Sequence, residues 1–188
     1  MFKMVAQATA LAVAETGQAM QRLGLRAAGN LVYKQDEFRW IGVQKPLVQN
    51  GGEVDASATI IGDVNTAGYT DIGENVVIRG ETSMVSSGPG VEYGKNSVIL
   101  AGYKSSTGLP PKTLIGEYAK IGENCVLESC IIGNYARIGD GSIISEGSIV
   151  GFDSELQPGT VVPPNHLIPE RQVWGGNPAK FVADVSDH

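Results

Sequence analysis

Apolar residues recur at every sixth position along most of this chain. Val54, Ile60, Ile72 and Ile78 form the first series, with Thr66 as a polar member at the same spacing. The series resumes at Ile115, Ile121 and Leu127, takes one five-residue step to Ile132, and continues through Ile138, Ile144, Val150, Leu156 and Val162. Glycine follows the apolar residue at 73, 116, 122, 133, 139 and 151. The fourth place after it holds only small or β-branched residues: Ala58, Val64, Thr70, Val76, Thr82, Ala119, Cys125, Ala136, Ser142, Ser148, Ser154 and Thr160.

A helix returns its apolar face about every 3.6 residues and an ordinary strand about every two, so neither holds a period of six. Short strands separated by tight corners do. The large residue fills an interior, the small one lets coils stack at roughly 4.8 Å, and the glycines are expected to give the corners backbone freedom. The pattern predicts an all-β solenoid, a left-handed parallel β-helix shaped as a triangular prism with three hexapeptides per coil. Both ends of such a solenoid need covering.

Residues 3–26 lack proline and are rich in helix formers, which predicts an N-terminal α-helix ended by Gly24 or by Gly29 and Asn30. Its alanine faces suit either close approach by another helix or packing on its own domain. The expected plan is a helix over 1–30, a linker and cap over 31–53, the β-helix over 54–168 and a C-terminal cap and tail over 169–188. Two segments break the period. The excess residues between Met84 and Val98, with SSGPG at 86–90, predict a protruding turn, and the Gly, Ser and Pro of 100–113 predict a surface loop.

Composition narrows the partners. A formal charge of -6 and a pI near 4.9 leave no basic stripe for a phosphate backbone, which argues against nucleic acid. Two cysteines, Cys125 and Cys130, are too few for a disulfide framework or a thiolate zinc site and fit a reducing compartment. The longest apolar run, 4–14, falls short of the ~20 residues a membrane-spanning helix requires. It also lacks the features of a secretory signal.

Three stretches carry a resemblance beyond the repeats: ETGQAMQRLG at 15–24 with GN at 29–30, IGDVN at 61–65 with IRGE at 78–81, and QVWGGNPAKF at 172–181. Together they resemble the γ-class carbonic anhydrases over residues 14–181. The first is similar to the mitochondrial members on the membrane arm of respiratory complex I. In that family three histidines hold zinc or a similar divalent ion at each interface of a trimer, and the metal activates water for attack on carbon dioxide.

The resemblance puts those ligand positions at Leu100, Glu123 and Glu128, so all three histidines are missing. The relay glutamine before the first ligand falls on Gly94. His166 reads as an ordinary polar residue of a turn, and His188 is terminal; neither matches a ligand position. Leucine cannot ligate, and two carboxylates suit zinc poorly. The family's RGD stretch is kept as Arg79, Gly80 and Glu81, which implies an ion pair between neighbouring subunits at the trimer interface, formed by Arg79 and Glu81.

The expectation is a non-catalytic γ-carbonic-anhydrase-like subunit with no metal or other cofactor. It would join two other such subunits in a heterotrimer on the matrix side of the mitochondrial inner membrane, attached to complex I membrane-arm subunits, with peripheral membrane contact through the N-terminal helix. A carboxylate-based metal hydratase and a free β-helix adaptor are the alternatives. A hexapeptide acyltransferase would need a histidine base, and no internal histidine stands in a plausible base position.

Overall fold

The computed structural model describes residues 46–49, 51–102 and 111–185, all within the unit Gln35–His188. The expected N-terminal helix lies outside the described residues. What is described is a left-handed parallel β-helix of hexapeptide coils.

Three ladders of inward side chains run along the prism, one per face. The first stacks Ile60, Ile78, Ile99, Leu127, Ile144 and Val162. The second stacks Thr66, Ser87, Ile115, Ile132, Val150 and Ile168. The third stacks Ile72, Tyr93, Ile121, Ile138, Leu156 and Trp174. All are buried except Trp174, which is partly buried. The sixth-position residues of the sequence are therefore the core, and burial of their apolar surface at about 25 cal/mol per Å² drives the coils together.

The polar members of the second ladder, Thr66 and Ser87, lie side by side, and the small Ser87 shares a coil with the bulky Tyr93. The hydroxyls of all three are buried, those of Ser87 and Tyr93 beside one another. Burial pushes the Tyr93 phenol far above its ordinary range.

Corner geometry differs from the sequence expectation in one respect. The glycine directly after the core residue does not supply a left-handed conformation. It supplies space: a Cβ on Gly94 would lie 2.4 Å from the carbonyl carbon of Gly122, and one on Gly122 2.4 Å from Asp140 Oδ1. The left-handed residue is the third after the core position, as at Asn75, Asn96, Asn124, Tyr135 and Asn165 (φ 55° to 60°). Asparagine tolerates that conformation because its short polar side chain bonds locally.

The three extra residues of the second coil are placed earlier than expected. Ser87, Tyr93 and Ile99 keep the regular period through SSGPG, which forms an ordinary corner. Instead residues 81–84 stand opposite the single Asp63, between the pairs Gly62↔Gly80 and Val64↔Val85. Val85 therefore takes the buried small-residue place expected for Thr82. Thr82 is exposed and donates to the Ala101 carbonyl at 2.7 Å. The five-residue unit is a shortened corner in which Ser129 alone is left-handed (φ 44°) and Cys130 takes the small place, fully buried.

Parallel pairing extends from Leu47–Val48 to Gln172–Gly175, where the chain turns back as the antiparallel strand Lys180–Asp184. Trp174 meets His166 and Phe181 edge to face at this end. His166 occupies the small-residue place of its coil, with Nε2 buried and unpartnered, so it is more enclosed than a turn residue. Of the expected loop, residues 103–110 lie outside the described residues.

Candidate functional site

The outward rows distinguish the three faces. On the first face Val77, Val98, Val126, Ile143 and Val161 form an aliphatic row. The second presents Leu114, Ile131, Ile149 and Leu167. The third is charged, with Asp71, Glu92, Lys120, Arg137 and Glu155 in register. The first face alone carries a second row of large side chains, where the other two have mainly glycine: Ile61, Arg79, Leu100 and Glu128.

Register brings together two of the three sequence-derived ligand positions. Leu100 pairs with Arg79 on one side and Glu128 on the other, so all three line one edge of the first face. Backbone bonds hold this edge: Ala101 N donates to Arg79 O at 3.0 Å, and Ser129 N to Leu100 O at 3.0 Å. Side chains add two more, from Thr113 Oγ1 to Leu100 O at 2.5 Å and from Gly102 N to Ser129 Oγ at 2.7 Å.

Glu123 is elsewhere. It sits on the corner that precedes the strand Val126–Glu128, at the opposite edge of the face, where its N–H donates to Asp140 Oδ1 at 2.8 Å. The left-handed corner residue Asn124 (φ 56°) and the strand Val126–Glu128 separate the two positions. One chain therefore cannot bring Glu123 to Glu128.

Arg79 and Glu81 form an ion pair within the chain, through Nη2 and Oε2. Half of the Arg79 side chain remains exposed (49%), so by itself this pair contributes little to stability. Neither Glu123 nor Glu128 has an ion pair among the described residues, and both are exposed.

The residues present do not suit a three-imidazole zinc site, because Leu100 has no donor atom and both remaining positions are carboxylates. Among the described residues no three His, Cys, Asp or Glu side chains converge on a metal position. Both thiols are enclosed. Burial pushes Cys130 up to about 12 and raises Cys125, whose Sγ lies 3.3 Å from the Gly139 carbonyl. Neither is a reactive thiolate at neutral pH.

Known proteins agree with this architecture. The family described as "Bacterial transferase hexapeptide (six repeats)" matches residues 112–146. A hexapeptide transferase family protein of Anaplasma phagocytophilum superposes with a TM-score of 0.54 at 29% identity, over 71% of this chain and 79% of its own. The mitochondrial γ-carbonic anhydrase 1 of Arabidopsis thaliana is 32% identical over 93% of this chain, which spans 66% of that protein's length. Mitochondrial γ-carbonic anhydrase 3 of the same plant is 31% identical over 93% of this chain, which spans 70% of it.

Fold and repeats define a hexapeptide-repeat protein of the left-handed β-helix class. Identity sustained across nearly the whole chain goes further: this chain belongs to the γ-carbonic anhydrase family. A sequence reading that aligned the ligand positions by motif could not have found that two share an edge and the third does not. That depends on which strands are neighbours.

Proposed function

We propose that this chain is a non-catalytic γ-carbonic-anhydrase-like subunit of a heterotrimer, attached to the matrix side of the membrane arm of mitochondrial complex I. The observation that carries the reading is Leu100, an aliphatic residue in register between Arg79 and Glu128 where the family resemblance implies a metal-binding histidine. Without a donor there, a hydratase site lacks its metal cradle, and the prism remains as a scaffold. The mitochondrial names of the relatives support the compartment. Arg79 and Glu81 act at the contact with neighbouring subunits, and the N-terminal segment supplies peripheral membrane contact or binds the arm. Among the described residues no helix is long and apolar enough to cross a membrane.

Blue-native electrophoresis of membranes from the source organism tests the assembly. The expected result is co-migration with a very large NADH-oxidising complex, whereas a small soluble trimer would argue for a free adaptor. The competing reading, a carboxylate-based hydratase, is tested on the purified chain. Elemental analysis is expected to find no stoichiometric zinc, and stopped-flow assays no carbon dioxide hydration above buffer. Activity that disappears in Glu123→Gln would overturn the scaffold reading.

A further inference from the structure

Among the described residues, both edges of the first face carry carboxylates that have no ion pair. At the edge before the strand Val126–Glu128, Lys95 is paired with Glu74 at 3.3 Å, which leaves Glu123 and Asp140 on the next two coils. At the edge after it, Arg79 is paired with Glu81, which leaves Glu128 and Glu146. None of these four has an ion pair among the described residues. Of the cations described on the adjoining third face, Lys120 is engaged with Glu92 at 2.7 Å and Arg137 is in register with Lys120.

In a ring of parallel prisms every contact is heterologous, so one edge of a chain meets the other edge of the next. A ring of identical copies would set Glu123 and Asp140 of one against Glu128 and Glu146 of its neighbour at each of its interfaces. Like charges juxtaposed at an interface cost several kcal/mol and suppress the wrong partner. The aliphatic row between the edges supplies attraction to any chain with the same coil spacing and so does not discriminate among them.

We propose that these carboxylates make the chain select, as its neighbour, a solenoid of the same class bearing imidazole or cationic side chains at the facing edge, in preference to a second copy of itself. This rests on the trimeric reading above and adds to it the chemistry of partner choice. Glu123 and Glu128 then act in assembly, at the positions where the family resemblance implies ligands.

Native mass spectrometry of the full chain tests the selection directly. The probe is a mass-tagged copy carrying Leu100→His, Glu123→His and Glu128→His, mixed with the unsubstituted chain. Mixed trimers are expected in excess of random combination. Separately, Glu123→Gln with Glu128→Gln is expected to strengthen self-association of the chain at least about tenfold, and added salt to narrow that difference. Exposed carboxylates tolerate the amide, and unchanged circular dichroism verifies folding. A tight homotrimer of the unsubstituted chain, indifferent to the double substitution and to salt, with only random mixing, would overturn the proposal. Such a result would leave the blue-native test of complex I attachment standing, so the two readings fail separately.

Discussion

At the scale of single residues, corner positions with similar composition do different work. Gly122 is required by space, since a Cβ there would lie 2.4 Å from Asp140 Oδ1 and 2.8 Å from the Ile138 carbonyl oxygen. Gly122→Ala is expected to cost about 1–3 kcal/mol through overpacking, read as a lowered urea midpoint. Asn124, two residues on, is required by conformation (φ 56°), which glycine adopts freely. Asn124→Gly is therefore expected to fall within about 0.5 kcal/mol of the parent in the same measurement. If both substitutions cost the same, the division of roles between first and third places would be wrong. The sequence made the glycines visible but not their purpose, because contacts with the next coil are not local.

At the scale of the element, the shortened corner Leu127–Ile132 ties Glu128, where the family resemblance implies a ligand, to the core. Glu128 ends the strand, Ser129 makes the turn, and Cys130 enters the interior one residue early. Its thiol is raised to about 12 by burial. The protonated form is thus favoured in the folded state over the unfolded state, where a thiol titrates near ~8.5. The stability this represents is complete below that value and is lost as pH climbs from there toward the folded value. Cys125 and Tyr93 are shifted in the same direction. Urea midpoints are expected to fall steadily above pH about 8.5, and Cys130→Ala to flatten the fall at a constant cost in stability at neutral pH. An unchanged profile in the variant would assign the alkaline loss to other groups.

At the scale of the whole molecule, the prism presents one charged face and two aliphatic ones, and the face with two rows of side chains carries the Arg79–Leu100–Glu128 edge. Arg79→Ala separates fold from assembly. Because its pair with Glu81 is half exposed within the chain, the monomer is expected to lose no more than about 1 kcal/mol. If a neighbouring subunit buries the pair, trimer dissociation is expected to become easier by about 3–5 kcal/mol, measured by sedimentation of the reconstituted trimer. Equal effects on both would place the pair outside the interface.

The period of six, the large residues that fill the core and, apart from Thr82, whose place Val85 takes, the small residues that let coils stack were legible in the chain, because each hexapeptide repeats the same local contest between burial and turning. Leu100, Glu123 and Glu128 were likewise legible as the residues standing where the family resemblance implies ligands, since identity is read directly from sequence. What only the tertiary structure decided was adjacency. The extra residues at 81–84 and the insertion after Leu100 make successive coils unequal in length, so the stacking of Arg79 on Leu100 on Glu128 follows from strand register and not from spacing. Glu123, close to Glu128 in the chain, stands on the corner at the other end of the strand Val126–Glu128. The strand keeps the two carboxylates apart, whereas hydrogen bonding between coils unites residues distant in sequence.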